Sequence, residues 1–380
     1  MRRVPILFFL TSPVRGGVEE VVLSLIRGLE GPAWATHLAA PAALLRTLKP
    51  ALDECGARTL ELALWSWRQL HDIERFLRYL REHAIQIVNS HLFYATLFAA
   101  PLARLAGVPV VIETTHGPEA WRRSWWKRTN WVDRCVERFV TAHIAVSEAN
   151  RQYLIHRKGY PARKIHVIPN GRDVSRFLAV PEHETTALRR RWNISCDERV
   201  LLFVGRLEPQ KDPACLLDAL SLVVPAFPKA RLVMVGDGSL RPALERRAAS
   251  AGLTDRVSFV GFLEDIAACY ELAELVLLPS RYEGMPLVAI EAGAAARPIV
   301  ATAVDGTCEV VEHEHTGLLV PPGDPAALAR AICRLLADPE RARTMGQAAR
   351  RRVCEHFSLE RQIALTAQVF QSCLNGAHAA

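Results

Sequence analysis

Short apolar segments alternate with longer amphipathic segments along almost the whole chain. Apolar residues at helical spacing predict helices with one buried face, and short runs rich in β-branched residues predict buried strands. In the first half this pattern predicts strands Val4–Leu10, His37–Ala40, Ile85–Asn89, Val108–Glu113 and Ile144–Ser147, with helices Val18–Leu29 and Ala95–Leu105. In the second half it predicts strands Val200–Val204, Arg231–Gly236, Val257–Val260, Leu275–Pro279 and, closing the series, Pro298–Ala301, with helices Pro213–Val223, Leu240–Ala251, Asp265–Glu271 and Pro286–Ala296.

This alternation predicts the α/β class, with two Rossmann-like domains that each contain a doubly wound parallel sheet. A length of 380 residues suits two domains of roughly 150 to 200 residues each. The pattern breaks at Ile168–Glu184, so we divide the chain into residues 1–176 and 177–357. Ligands of such folds bind at the carboxyl ends of the strands, which predicts a site in a cleft between the domains.

Composition and charge narrow the class of protein. Apolar residues make up 50% and charged residues 23%, which excludes disordered and collagen-like chains. The net charge of +7 is uneven, since residues 1–180 contain 25 basic and 15 acidic side chains and residues 181–380 contain 22 and 25. Nine cysteines without a C-x-x-C pair favour reduced thiols in a cytosolic protein. The N-terminal apolar run contains Pro5 and predicts a buried strand rather than a signal peptide, so we expect a soluble chain.

A phosphate site is predicted where the strand Leu275–Pro279 leads into the next helix. Pro286 suits the first position of that helix, so the amides of Leu287 and Val288 would lack intrahelical partners and could bind a phosphate. Glu283 precedes the helix and Glu291 lies inside it. Two carboxylates that flank an anion site suit the hydroxyls of a sugar nucleotide, although each could equally be a solvated glutamate.

Two cations follow the strand Val200–Val204. Arg206 and Lys211 share one short loop, and Asp212 and Pro213 suit the N-cap and first position of the next helix. Fixed there, the cations would neutralise a diphosphate and stabilise it as a leaving group. Either one alone would more simply be a solvated loop residue.

Two glycines and two histidines complete the candidates. Gly16 and Gly17 follow the first strand and would let the backbone approach a ligand closely, although the Walker and dinucleotide-binding patterns are absent from the sequence. His116 and His91 end predicted strands, and His116 is the stronger functional candidate because it directly precedes Gly117. A lone histidine is otherwise most often structural.

Taken in order, the motifs resemble the retaining GT-B glycosyltransferases of family 4, the glycosyl transferases group 1. They are GGVEE, ETTHG, AVSE, IPNGRD, VGRLEPQKD, VGDG, VSFVGF, YEGMPLVAIEA and GLLVPPGD, and they extend over most of the chain. The resemblance implies two facing Rossmann-like domains, with a final helix within residues 358–380 that packs back on the first domain. It also implies a nucleotide-diphosphate sugar, UDP- or GDP-linked, as donor and no cofactor.

The resemblance also implies a role for each candidate. Arg206 and Lys211 would bind the donor diphosphate with the amides of Leu287 and Val288, and Glu291 would hold the ribose. The catalytic residues would be four, namely Arg206, Lys211, Glu283 and His116. Glu283 would contact the donor sugar, and His116 would contact it near the acceptor.

In the first domain, Gly16 and Gly17 belong to the donor-binding set, and Gly17 would approach the phosphates when the domains close. The chain departs from the family pattern at two positions, which we expect to affect the acceptor side and not to touch the donor-binding residues. Arg172 stands where a hydrophobic residue is frequent, and Asn89 where a histidine is frequent.

The reaction implied is sugar transfer with retained anomeric configuration, in which the departing phosphate oxygen helps to deprotonate the acceptor hydroxyl. The protein would then contribute positioning and charge stabilisation. Arg206 and Lys211 would replace a metal, so we predict metal-independent activity. A GT-B protein that binds a nucleotide sugar without transfer, and a GT-B enzyme of other chemistry such as an epimerase or a phosphorylase, are the alternatives.

The segment Trp121–Phe139 contains four Trp and six Arg or Lys residues. Interleaved aromatic and basic residues suit an anionic membrane surface. They predict peripheral membrane contact and a lipid-linked or cell-surface polysaccharide acceptor, with the enzyme at the inner face of the membrane. The alternative is a helix whose tryptophans lie partly in the core. Recognition motifs for nucleic acid are absent from the sequence, and we expect no such partner.

Overall fold

The structure, a computed structural model, describes residues 3–119, 131–178 and 180–379. The chain forms two compact units, Met1–Asn170 with Leu359–Ala380, and Gly171–Ser358. The division expected from the sequence, after residue 176, falls a few residues later. The second unit begins at Gly171 because the backbone of Arg172 joins it there, donating from its N–H to the carbonyl of Phe357 at 3.0 Å.

The first unit contains a parallel sheet of seven strands among its described residues, in the order β3-β2-β1-β4-β5-β6-β7. The strands are β1 Val4–Phe9, β2 Trp34–Ala40, β3 Arg58–Glu61, β4 Ile87–His91, β5 Val110–Thr115, β6 Ala142–Ala145 and β7 Ile165–Val167. The α-helices are Gly17–Leu29, Ala42–Cys55, Leu70–Glu82, Phe93–Leu105, Trp131–Glu137 and Glu148–Tyr153, and the last helix of the chain is Leu359–Ala379.

The second unit contains a parallel sheet of six strands in its described part, in the order β10-β9-β8-β11-β12-β13. The strands are β8 Arg199–Val204, β9 Ala230–Val235, β10 Val257–Gly261, β11 Leu275–Leu278, β12 Ile299–Thr302 and β13 Gly317–Val320. The α-helices are Glu182–Arg191, Pro213–Val223, Arg241–Ser250, Ala267–Leu272, Leu287–Ala294, Thr307–Val310, Pro325–Ala337 and Pro339–His356.

Two parallel, doubly wound sheets confirm the predicted fold class. The burial of the central strands explains why the sequence pattern predicted them. Ile6 to Phe9 in β1 and all of β11 are fully buried, as expected when helices cover both faces of a sheet. The sequence pattern predicted Pro298–Ala301, which corresponds to β12, as the last strand. The sheet instead continues with a further edge strand, β13. The strands β3 and β7 were not predicted, since edge strands are short and only one residue of each is buried.

The last helix packs inside the first unit. Phe370 is fully buried, with its ring 6.5 Å from that of Phe8 and 6.1 Å from that of Trp34. A β-carbon at Gly28 would lie 2.0 Å from Cδ1 of Ile363, so this helix packs closely against Gly17–Leu29, and a larger residue there would displace the Ile363 side chain. The first unit therefore depends on residues from both ends of the chain.

Replacing Phe370 by alanine should destabilise the first unit by about 3–5 kcal/mol, because the substitution leaves a cavity among buried aromatic rings. Urea unfolding followed by tryptophan fluorescence measures this unit, since seven of the eight tryptophans lie within the first 131 residues. The exposed neighbour provides the control, and Gln371→Ala should change stability by less than about 0.5 kcal/mol. An unchanged transition for Phe370→Ala would contradict the packing described.

Candidate functional site

Lys211 and Glu283 form an ion pair that links the loops after β8 and β11. Nζ of Lys211 bonds Oε1 of Glu283, and both side chains are largely buried. Ser280 Oγ donates to the same carboxylate oxygen at 2.6 Å. The backbone N–H of Glu283 donates to Asp305 Oδ2 at 3.1 Å, and burial raises the pKa of Asp305. The predicted sugar-contacting carboxylate is thus fixed beside a predicted phosphate-binding cation.

The loop after β8 is also fixed by bonds to the loop after β11. Gln210 donates from Nε2 to the carbonyl of Tyr282 at 3.1 Å and accepts the N–H of Arg281 at its own carbonyl at 2.8 Å. Arg206 is exposed, and its Nη2 donates to Gln210 Oε1 at 3.1 Å. One cation of the predicted pair is therefore held in an ion pair and the other is open to solvent.

Asp212 occupies the predicted N-cap position without capping the helix. Its backbone is left-handed, with φ of 45°, and no side-chain cap bond forms. The carboxylate instead accepts Arg281 Nε at 3.0 Å. The sequence correctly placed the start of the helix at Pro213 but assigned the wrong partner to the aspartate.

Glycines allow the turn after β9 to pack against the turn after β8. A β-carbon at Gly236 would lie 2.1 Å from the carbonyl oxygen of Gly205, and one at Gly238 would lie 2.5 Å from that of Leu207. The N–H of Leu207 donates to the carbonyl of Asp237 at 2.9 Å. The two glycines are needed for backbone packing that shapes the Arg206 loop.

The helix predicted to bind phosphate begins one residue later than expected. Pro286 is the N-cap, and the helix runs over Leu287–Ala294. The amides of Leu287 and Val288 lie in its first turn, where N–H groups have no acceptor within the helix. Both residues are partly exposed, in contrast to the buried Ala289 that follows.

Glu291 is buried within this helix and is held by two residues that sequence reasoning did not assign to it. Tyr270 donates its hydroxyl to Oε2 at 2.7 Å, and Arg172 Nη2 lies 2.6 Å from Oε1. Burial and the adjacent carboxylate raise the pKa of Tyr270 well above its usual value, so the phenol stays a donor. A carboxylate has about four acceptor positions, so these contacts orient Glu291 without exhausting it. The expectation that Arg172 lies on the acceptor side, away from the donor-binding candidates, was wrong, because its guanidinium pairs with the predicted donor-binding residue Glu291.

In the first unit, the predicted glycines lie at the carboxyl end of β1. Gly16 is the N-cap of the helix Gly17–Leu29 in an extended conformation, and it has no side chain to cap the helix. Arg15 Nε donates to Glu20 Oε1 at 2.5 Å beside this turn. The first-turn amides of the helix are therefore not capped by the N-cap residue.

The two candidate histidines contact each other at the carboxyl ends of β4 and β5. Nδ1 of His91 lies 2.8 Å from Nε2 of His116, and Nε2 of His91 lies 3.0 Å from Asn89 Oδ1. Burial lowers the pKa of His116 to about 4 and lowers that of His91 well below its usual value. Both imidazoles are therefore neutral near pH 7. His91 was the weaker candidate, yet the structure joins it directly to His116.

Part of the segment Trp121–Phe139 falls outside the described residues, namely residues 121–130. In the remainder, Trp131 is 62% exposed and Phe139 is 41% exposed, whereas Asp133 and Val136 are buried. This part is therefore amphipathic. Among the helices of the described ranges, none combines the length and the apolar character that a membrane span requires.

Two family models match the chain. One describes "Glycosyltransferase Family 4" and matches residues 15–176, and the other describes "Glycosyl transferases group 1" and matches residues 184–352. Together they include every candidate residue named above.

Curated relatives extend over much of the chain. An alpha-D-kanosaminyltransferase of Streptomyces kanamyceticus is 30% identical over 67% of this chain and 68% of its own length. A GDP-mannose-dependent alpha-(1-6)-phosphatidylinositol monomannoside mannosyltransferase of Mycobacterium tuberculosis is 31% identical over 73% of each chain.

Solved structures share the fold over nearly the whole length. The Anabaena protein HepE in complex with UDP and glucose superposes with a TM-score of 0.85 at 23% identity, over 97% of this chain and 100% of that one. A sucrose-phosphate synthase from Thermosynechococcus elongatus gives a TM-score of 0.81 at 25% identity, over 98% and 100%. With this fold, these motifs and these relatives, the chain belongs to the GT-B glycosyltransferases of group 1, family 4.

Proposed function

We propose that the protein transfers a sugar from a nucleotide diphosphate, UDP- or GDP-linked, to an acceptor hydroxyl with retention of anomeric configuration. The observation that carries the proposal is the ion pair of Lys211 with Glu283, which brings a cation and a carboxylate together beside an uncapped helix start. A diphosphate needs the cation and the amides, and a sugar hydroxyl needs the carboxylate.

The donor diphosphate would lie between the loop after β8 and the helix Leu287–Ala294. Arg206 is exposed and can turn to a phosphate at little cost, whereas Lys211 would share its charge between Glu283 and the diphosphate. The amides of Leu287 and Val288 would add backbone donors, and Gly16 and Gly17 would approach from the first unit. Relatives support this choice of donor, since one is named for GDP-mannose and HepE is described with UDP.

Glu291 would accept the hydroxyls of the ribose. Arg172 and Tyr270 hold the carboxylate in place, so little conformational entropy is lost when the ribose binds. The preorganised carboxylate favours a nucleoside over a simple phosphate ester.

The same groups would promote departure of the nucleotide. As the bond between the sugar and the phosphate breaks, negative charge grows on the leaving diphosphate, and Arg206, Lys211 and the helix amides stabilise that charge. The departing phosphate oxygen would accept the proton of the acceptor hydroxyl, which then bonds to the same face of the sugar. Glu283 and His116 would position the sugar hydroxyls. In this scheme the cations perform the electrostatic role of a metal.

We propose further that the acceptor is lipid-linked or part of a cell-surface polysaccharide, and that the protein works in the cytoplasm at the membrane surface. The exposed Trp131 and the basic sequence around it support this proposal. A relative named for phosphatidylinositol monomannoside also supports a lipid-linked acceptor.

A thermal-shift panel of UDP, GDP, ADP and their sugars tests donor binding. One base should stabilise the protein, because a ligand that binds only the folded state raises its stability. Arg206→Ala should weaken that nucleotide's affinity by about tenfold or more, since a charge-assisted contact is lost without disturbing the fold. Arg247→Ala removes an arginine paired with Asp218 and serves as the control. Absence of stabilisation by every nucleotide would refute the proposed donor class.

Glu283→Gln separates transfer from binding. The amide keeps the size of the side chain but removes the charge, so kcat should fall roughly 10- to 100-fold while nucleotide affinity changes by less than about threefold. Glu271→Gln, in which the partly exposed partner of Arg297 is neutralised, should leave both quantities unchanged. An equal loss of affinity and turnover would assign Glu283 to binding alone.

Turnover should persist in an excess of chelator, because protein cations and amides would balance the diphosphate charge. Transfer is measured after dialysis against chelator, with and without added divalent ions. Complete loss in chelator that is restored by a divalent ion would contradict the metal-independent scheme.

Flotation with vesicles tests the membrane proposal. The protein should float with phosphatidylserine-containing vesicles at low salt and remain unbound with neutral vesicles, because basic side chains bind anionic surfaces. Binding should fall when four basic residues are changed to glutamine, namely Arg122, Arg123, Lys127 and Arg128. The charge-matched control changes four exposed arginines of the second unit, Arg246, Arg247, Arg330 and Arg343. Lack of binding to either vesicle would exclude the membrane role.

A further inference from the structure

Three side chains form a hydrogen-bonded series in the first unit, from Asn89 through His91 to His116. Asn89 and His91 are fully buried in β4, and His116 follows β5 and is partly exposed. Each ring nitrogen of His91 is used, one toward Asn89 at 3.0 Å and the other toward His116 at 2.8 Å. Only certain arrangements of protons are compatible with such a series, and the orientation of the buried Asn89 amide determines which one forms.

The orientation of the Asn89 amide is determined by the backbone of β5. Nδ2 lies 3.3 Å from the carbonyl oxygen of Ile112 and 2.9 Å from Thr114 Oγ1. A carbonyl oxygen can only accept, so the amide group that faces it must be the NH₂. Oδ1 of Asn89 is therefore the atom that faces His91.

The proton positions on the two rings follow from that orientation. Oδ1 of Asn89 can only accept, so Nε2 of His91 carries a proton and donates it. A neutral imidazole has one protonated nitrogen, so Nδ1 of His91 is an acceptor and Nε2 of His116 donates to it. The remaining nitrogen of His116, Nδ1, is then unprotonated.

We infer that Asn89 and His91 are positioning residues that hold His116 as the Nε2–H tautomer, so that Nδ1 of His116 meets the substrate only as a hydrogen-bond acceptor. The inference rests on the proposed function, in which His116 contacts the donor sugar. It deepens that function by specifying the partner, because an accepting nitrogen binds a hydroxyl group and repels a phosphate or carboxylate oxygen.

The packing around the series supports this assignment. The rings of His91 and His116 are inclined by only 23° with centroids 5.1 Å apart, the edge-to-edge arrangement that a hydrogen bond between two ring nitrogens requires. A proton added to Nδ1 of His91 would place two donors opposite each other and break the bond between the rings, and burial lowers the pKa of His116, which disfavours a second proton there. Ser90, which lies between Asn89 and His91 in sequence, bonds Thr96 Oγ1 at 2.9 Å and the carbonyl of Ile112 at 3.3 Å. Since these bonds involve neither histidine, it offers a neighbouring buried control.

The direct test is the tautomeric state of both rings in the full-length protein, measured from imidazole nitrogen chemical shifts after histidine-selective ¹⁵N labelling. His91→Gln and His116→Gln provide the resonance assignments. We expect His91 and His116 each to be neutral with a proton on Nε2 and none on Nδ1. A proton on Nδ1 of His116, or an imidazolium at either ring near neutral pH, would overturn the inference whether or not the enzyme transfers sugar.

The functional test uses Asn89→Leu, with Ser90→Ala as control. Without the amide acceptor, His116 should become a mixture of tautomers, and kcat/KM for the sugar nucleotide should fall by up to about tenfold, the loss expected for one hydrogen bond. Affinity for the free nucleotide, which lacks the sugar, should not change. Ser90→Ala should keep both the tautomer and the activity.

These outcomes separate the inference from the proposed function. Unchanged kcat/KM in Asn89→Leu, despite a changed tautomer, would overturn the role of the series in sugar contact while leaving nucleotide binding intact. Failure of every nucleotide to bind would refute the proposed function but not the tautomer assignment. If Asn89→Leu does not fold, the spectrum of the wild-type protein decides the assignment.

Discussion

Burial of a parallel sheet on both faces is the constraint on which the rest of this structure depends. A strand such as β11, fully buried along its length, has no position for a polar group that binds a ligand. Most of the candidate side chains therefore lie at or just beyond the carboxyl ends of the strands, and Glu291 lies in the helix that follows β11. Lys211, Glu283 and His116 all follow strands in this way, and the fold brings them close to their partners without using the core.

This constraint also explains how much the sequence could predict. Strands with apolar side chains on both faces, such as β8 and β11, were identified with nearly correct ends because burial on two faces leaves continuous apolar runs. The edge strands β3 and β7 escaped prediction, since an edge strand needs fewer buried residues and its sequence resembles a loop. Loop residues that directly follow such a strand, such as Arg206, could also be located, because the continuous apolar run marks where the strand ends.

Contacts between segments distant in the chain could not be predicted in this way. Glu291 was singled out, but its partners Arg172 and Tyr270 lie far from it in sequence, and single-residue patterns do not specify which side chains meet. Asp212 shows the same limit, because its position identified a cap whereas its actual partner is Arg281 from another loop. Pairing depends on how strand ends are arranged in the sheet, which periodicity does not encode.

The two units differ in the charge state of their candidate groups, and this difference has a physical reason. In the second unit the candidate side chains include two cations, Lys211 paired with Glu283 and Arg206 open to solvent, which suit a ligand that carries negative charge. In the first unit His91 and His116 are kept neutral by burial, which suits hydroxyl groups that need oriented donors and acceptors rather than net charge. A transferred sugar is neutral and its leaving group is an anion, so a glycosyltransferase needs both kinds of environment. The uneven charge of the sequence does not reveal this division, because the more basic half of the chain contributes neutral imidazoles and the slightly acidic half contributes the cations.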